Sequence, residues 1–264
     1  MDAFIASVLS PPVSEDELPS VRDDCFCDVD ASRALKMDWA SCYMSHIDHD
    51  VHFGVANPSI IGVVDGVSAY SAKGVDTGAF SRSLMTSAQQ DVLETAPRPI
   101  CPYTLLQRAC EGAASSDRLH RAPRRRDRAP LAAAAGQLAA KGADGITQAE
   151  VGETAVRDHD IVVVATDGLF DNMFDAELER VVRMCTALSF SPKNMAYIIV
   201  GIAYEMSWSK DKDSPYNIGY HNHMGSQRCG GKEDDITVVI AFVVSTQLAG
   251  VDKVEDDDAT SNSD

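Results

Sequence analysis

The chain has 264 residues, 45% of them hydrophobic and 24% charged, with a formal net charge of −17. That length supports one substantial domain without requiring two, and the composition is that of a soluble globular protein. So acidic a chain argues against a general nucleic-acid binder, whose phosphate contacts need a basic face.

The start, MDAFIASVLSPPVSEDELPS, is acidic and proline-bearing. It lacks the basic start and long apolar run of a secretory signal, and it is too poor in arginine for an organelle transit peptide. Residues 1–37 are therefore expected to form an irregular leader, with the folded domain over 38–248. No run of roughly 18 apolar residues occurs, so no membrane span is expected. The seven cysteines include Cys25 and Cys27, close together, and the scattered Cys42, Cys101, Cys110, Cys185 and Cys229. They form no paired Cys-x-x-Cys frame, which argues against structural zinc and for reduced thiols in an intracellular protein.

Ser59 to Val64, SIIGVV, reads as a buried strand ending in Asp65-Gly66. Thr77 to Glu94 reads as a helix with Phe80, Leu84 and Val92 turned inward. Residues 113–143, AASSDRLHRAPRRRDRAPLAAAAGQLAAKGA, are arginine-dense and then alanine-dense, and they hold no strand-like run. They are expected to form a solvated or disordered insertion, the reading preferred to a basic nucleic-acid patch.

Residues 161–164, IVVV, form a second strand leading into Ala165-Thr166-Asp167-Gly168. Asp175 to Leu188 follows as a helix with Leu178, Val181, Val182 and Cys185 on one face. Ser191-Pro192 offers an N-cap and a first-turn proline for a further helix running to Trp208. Asp234-Asp235 then opens ITVVIAFVV, a third strong strand. Residues 249–264 are acidic and poor in apolar side chains, as a disordered tail is.

Acidic residues thus sit at strand ends: Asp65 and Asp167 after a strand, Asp234 before one, and Asp50 before His52-Phe53. Antiparallel strands that end and begin at acids can gather those carboxylates at one sheet edge. Such a cluster repels itself unless cations neutralise it. Hard divalent ions such as Mg²⁺ or Mn²⁺ prefer oxygen ligands. Two of them held close together would acidify a water and orient a phosphate for in-line attack. Asp-Gly alone is a common turn dipeptide; two strands each followed by Asp-Gly, with Asp-Asp before a third, form a more specific pattern.

At these residues the chain resembles the metal-dependent type-2C serine/threonine protein phosphatases. The resemblance is carried by IIGVVDGVSAY, VVVATDGLFDNMFD and GGKEDDITVVIAFV, with GVDTGAFSRSLM and AYEMSWSKDKDSPYN beside them. It points to the compact branch seen in fungal mitochondria and in plants, and it covers residues 40–112 and 144–245. It implies an α+β fold, an α-β-β-α sandwich of two antiparallel sheets flanked by helices. It implies two Mg²⁺ or Mn²⁺ ions, with Asp65 bridging them, the Gly66 carbonyl ligating one, and Asp167 and Asp234 ligating directly. Asp50 matches a position that ligates directly or through water, and Asp235 a less critical neighbour. Phosphoproteins are the implied substrates, with a metal-activated water attacking phosphoserine or phosphothreonine; no nucleic-acid or membrane partner is implied. The compartment would be cytosol, mitochondrion or plastid.

Three departures from the family pattern stand out. The basic phosphate-binding residue upstream of the acids is absent, with only His46 and His49 nearby. Val67 stands at the general-acid histidine position, as in the close branch. The family's small-residue strand and its Gly-Asp-Ser turn are not visible, and the arginine- and alanine-rich stretch takes their place, as an aberrant join or a frame-shifted translation would produce. A sandwich missing central strands raises the alternative of a catalytically impaired pseudophosphatase acting as a binding or regulatory protein. A haloacid-dehalogenase-like reading fails for want of an Asp-x-Asp nucleophile. His221-Asn222-His223, which would suggest an HNH nuclease, reads as a polar loop.

Overall fold

The computed structural model describes residues 2–8, 33–46, 49–57, 59–66, 77–95, 101–115, 131–137, 150–224 and 229–247. The strands are β1 (Asp2–Val8), β2 (Arg33–Met44), β3 (Val51–Val55), β4 (Ile60–Val64), β5 (Leu131–Gln137), β6 (Glu150–Glu153), β7 (Ile161–Ala165) and β8 (Ile236–Gln247). The helices are α1 (Thr77–Thr95), α2 (Pro102–Ser115), α3 (Asp167–Phe170), α4 (Asp175–Ala187), α5 (Pro192–Ser207) and α6 (Pro215–Met224).

The strands form a five-stranded sheet, β3-β4-β1-β5-β6, and a three-stranded sheet, β2-β8-β7. Every pairing is antiparallel. Side chains alternate faces along a strand, and β4 shows what that does here. Ile60 and Val64 pack with Leu84, Met85, Ala88, Val92, Leu105 and Leu106 of α1 and α2. Ile61 and Val63 face the other way, onto Val239 and Ala241 of β8 and Val164 of β7. In turn β8 sends Ile236, Val238 and Ile240 toward Met195, Ile199 and Ala203 of α5. Both strands are covered on both faces, so both read in sequence as unbroken apolar runs. The result is a helix–sheet–sheet–helix stack, the expected sandwich.

The helices begin and pack where the sequence predicts. Leu84 and Val92 are fully buried, and Phe80 packs at the edge of the same cluster. The Ser191 side chain accepts the Asn194 N–H ahead of Pro192. Cys185 is buried, with Leu178, Val181 and Val182 packed beside it.

Two segments differ from the sequence reading. Within residues 1–37, expected as irregular leader, lie β1 and the start of β2. β1 pairs with β4 on one side and β5 on the other, so it sits inside its sheet. Within residues 113–143, expected to hold no strand, lies β5, an alanine-rich strand between β1 and β6. Alanine favours helix by propensity, and here strand pairing on both sides overrides it. Residues 9–32, 116–130, 138–149 and the tail 249–264 lie outside the described residues, as does Val67.

Candidate metal centre

The register of the two sheets brings the acidic strand ends together. Val51 of β3 pairs with Val64 of β4, so Asp50 and Asp65 stand one step beyond that pair. Ala165 of β7 pairs with Val238 of β8, and Thr166 continues the ladder by donating its N–H to the Thr237 carbonyl at 3.1 Å. Asp167 therefore follows the end of β7 where Asp234 and Asp235 precede the start of β8.

Asp50 is buried. Its Oδ2 accepts Thr166 Oγ1 at 2.7 Å and Thr237 Oγ1 at 2.9 Å. The Gly66 N–H reaches its Oδ1 at 3.4 Å. Burial pushes the Asp50 carboxyl up to about 6, against the pull of both threonine hydroxyls. Asp65 is pushed further, to about 8, by burial and then by the charges of Asp167, Asp50 and Asp234. Those named neighbours place Asp50, Asp167 and Asp234 within electrostatic reach of Asp65. A neighbouring carboxylate raises a carboxyl pKa because like charges resist joint ionisation.

Lys232 answers part of this charge. Its Nζ lies 2.7 Å from Asp167 Oδ2, 2.7 Å from Asp171 Oδ2 and 2.9 Å from Asp234 Oδ2. Burial works against the ammonium, and its pairing with the accepting carboxylates overcomes it and raises its pKa. Burial likewise raises Asp171, against its bond to Lys232. Asp167 Oδ1 is left buried with no hydrogen-bond partner. An orphaned carboxylate oxygen beside a carboxyl held near 8 marks an oxygen-rich site short of positive charge. That donor set suits hard divalent cations. Among the described residues no three acidic, histidine or cysteine side chains converge closely enough to hold an ion as they stand.

Two glycines permit the packing. A Cβ on Gly66 would collide with His49, and one on Gly168 with the Asp235 carbonyl. Asp235, expected to matter less, is 2% exposed and accepts the His46 and His49 N–H groups, each at 2.6 Å. It holds the chain just ahead of Asp50. Asn172 binds the Gly168 carbonyl and both backbone groups of Lys232, all at 2.9 Å. The sequence reading missed Asn172, Asp171, Lys232 and the two threonines. Asp171 and Asn172 lay within the ATDGLFDN motif, and Lys232 two residues before Asp234, so proximity to a motif was the available signal.

His49 stays beside the carboxylates, with Gly66 packed on it, whereas His46 turns its ring to an aromatic pair. The His46 ring lies 5.0 Å from the Tyr204 ring and 5.2 Å from that of Trp208, with Nε2 3.2 Å from Ser207 Oγ. His221-Asn222-His223 falls in α6, not in a loop.

Comparison with known proteins gives this arrangement its context. The protein named protein phosphatase 2C 23, from Oryza sativa subsp. japonica, is 41% identical over 266 residues, covering 86% of this chain and 82% of its own. The chain belongs to the protein phosphatase 2C family. A second relative from the same source, named protein phosphatase 2C 24, is 36% identical and covers 84% of this chain and 82% of its own. No protein-family model matches the chain. Among solved structures, the photosystem II phosphatase PBCP superposes with a TM-score of 0.58 at 20% identity, over 80% of this chain and 100% of that one. The catalytic domain of the serine threonine protein phosphatase PstP, in complex with 2 manganese ions, gives a TM-score of 0.50 at 13% identity, over 80% of this chain and 100% of that one. These two likenesses bear on the fold: this family member has the type-2C sandwich. The 266-position match to the first rice relative is longer than this whole chain yet covers 86% of it, so that relative carries positions with no counterpart here. No helix among the described residues is long and apolar enough to cross a membrane.

Proposed function

We propose that this chain hydrolyses phosphoserine and phosphothreonine in proteins through a two-cation site built on Asp65, Asp167 and Asp234. The observation that carries the reading is the uncompensated charge at the sheet ends: Asp65 near 8 and Asp167 Oδ1 without a partner. Asp65, the Gly66 carbonyl, Asp167 and Asp234 would hold the ions. Mg²⁺ or Mn²⁺, when bound, supplies an activated water as nucleophile and neutralises the phosphoryl oxygens.

The chain's own residues prepare that site. Asp50, fixed by Thr166 and Thr237, stands beside Asp65 and is one of the carboxylates that raise its pKa. Asp50 acts from behind, directly or through water. Asp235 fixes the segment carrying His49, against which Gly66 packs.

One observation favours the alternative of a pseudophosphatase that binds phosphoproteins without turnover: Lys232 pairs with Asp167 and Asp234, two of the carboxylates the metal reading needs, as well as with Asp171. Hydrolysis of a phosphothreonine peptide, followed in EDTA, Mg²⁺ and Mn²⁺ and with Asp167→Asn, separates the two. The phosphatase reading expects turnover with metal and a loss of at least about 100-fold in the variant. A folded protein that binds Mn²⁺ and shows no turnover would establish the alternative.

A further inference from the structure

We infer that Lys232 is a built-in competitor of the divalent cation, which occupies the Asp167–Asp234 carboxylates until metal displaces it onto Asp171. The inference rests on the metal reading of Asp167 and Asp234.

The geometry supplies each part of the exchange. A lysine ammonium has three donors and no acceptor; here it donates to Asp167 and Asp171, each at 2.7 Å, and lies 2.9 Å from Asp234 as an ion pair. Two of those carboxylates belong to the proposed metal site, and the third, Asp171, does not. A divalent ion on Asp167 and Asp234 would take the oxygens that Lys232 now holds and would repel its charge at contact distance. Asp171 remains as the acceptor that keeps the displaced ammonium paired.

The backbone of Lys232 is anchored while its side chain carries the change. Asn172 accepts the Lys232 N–H and donates to its carbonyl, both at 2.9 Å. Movement is thus confined to the side-chain torsions of a long, flexible stem. That side chain is 27% exposed, which leaves room for it to swing. The Tyr216 ring lies 5.9 Å from the ammonium and offers a face on that path.

Such a competitor has a physical purpose. Without any cation, Asp167 and Asp234 would repel across the strand ends at which β7 and β8 meet. Lys232 holds them in place before metal arrives, at the cost of weaker metal binding. The two consequences have opposite signs in one variant, which a purely structural lysine would not produce.

The test is Mn²⁺ affinity of the purified full chain by isothermal titration calorimetry, with thermal unfolding of the same samples in EDTA. Lys232→Met is expected to bind Mn²⁺ about tenfold more tightly and to melt at a lower temperature in EDTA. Lys232→Arg keeps the charge and should restore both toward wild type. Asp171→Asn should weaken Mn²⁺ binding, because the displaced ammonium then has no partner. Lys210→Met removes an exposed cation paired with Glu233 and serves as the control for general charge, with no more than a twofold change expected. Should Lys232→Met fail to fold, the lysine ammonium resonance of the wild-type protein provides the same answer. It is expected to shift during a Mg²⁺ titration with the midpoint of metal binding. Wild-type protein that binds Mn²⁺, with Lys232→Met binding no more tightly or the ammonium resonance unmoved, overturns the inference and leaves the metal reading standing. If neither wild type nor Lys232→Met binds metal, both fall together.

Discussion

Asp235 and His49 are joined by a 2.6 Å hydrogen bond from the His49 N–H to Asp235 Oδ2, across 186 residues of sequence. The other oxygen of the same carboxylate takes the His46 N–H, also at 2.6 Å. One buried side chain at the head of β8 thereby sets the path by which the chain enters β3. Asp235→Ala removes these two charge-assisted bonds and a longer one from the Tyr43 hydroxyl at 3.4 Å, and leaves two backbone donors to find other partners. The expected loss is about 3 kcal/mol, a fall in melting temperature on the order of 6–12 °C for a domain of this size. Asp235→Asn keeps one accepting oxygen and should lose roughly half as much. Thermal unfolding of the two variants beside wild type checks the order; equal stability for all three would sink the clamp.

Thr237 bears on Asp50 in a way that can be measured separately. Its hydroxyl and that of Thr166 are buried donors to one carboxylate oxygen, and both lower the Asp50 pKa against the effect of burial. Thr237→Val keeps the shape and removes a donor. The Asp50 carboxyl should then titrate above about 6, and the protein should lose about 2 kcal/mol near neutral pH. Carbon-detected NMR titration of the aspartate carboxyls in EDTA reads the first effect directly. An Asp50 that titrates at or below its wild-type value would show that the hydroxyl does not hold it.

How much of this was legible beforehand differs from element to element. β4, β7 and β8 were readable because burial on both faces makes an unbroken apolar run, and their flanking aspartates came with them. β1 was not. Ala3 to Leu9 is an uncharged stretch of strand-like composition, but the prolines and acids behind it dominated the reading, and nothing local says that it enters a sheet between β4 and β5. β5 was hidden by alanines that signal helix. β2 was not read as a strand, and the assumed leader boundary at residue 37 falls inside it, although its pairing with β8 runs from Arg33 to Met44. At the site, strand ends announced the aspartates, whereas Lys232 and Asn172 act through contacts across 60 residues or more, which periodicity cannot reveal.

The place of β1 leads to a test of its own. It is paired along both edges, with Phe4 opposite Val63 and opposite Ala135. Removing residues 1–9 would leave β4 and β5 with unpaired inner edges and split the five-stranded sheet. A truncated chain is expected to lose its cooperative thermal transition and to elute as aggregate in size-exclusion chromatography. A monomer with the wild-type melting curve would show instead that the pairing of β1 is dispensable.

The carboxylate cluster makes the stability of metal-free protein depend on pH in an unusual direction. Asp65 has a folded pKa of about 8 against an ordinary value of 3.8, raised by burial and by Asp167, Asp50 and Asp234. The fold therefore favours the protonated form. Its contribution is fully present below the ordinary value and is lost as pH rises through about 8. Asp50, raised to about 6, adds to the same trend at lower pH. In EDTA the melting temperature should fall by on the order of 5 °C between about pH 6 and about pH 9. Asp65→Asn, which cannot ionise, should flatten the upper part of that fall. Saturating Mg²⁺ should flatten it as well, because cations supply the charge that the proton otherwise provides. A metal-free protein whose melting temperature holds steady or rises over that range would mean that the four carboxylates do not crowd one another as the strand register places them.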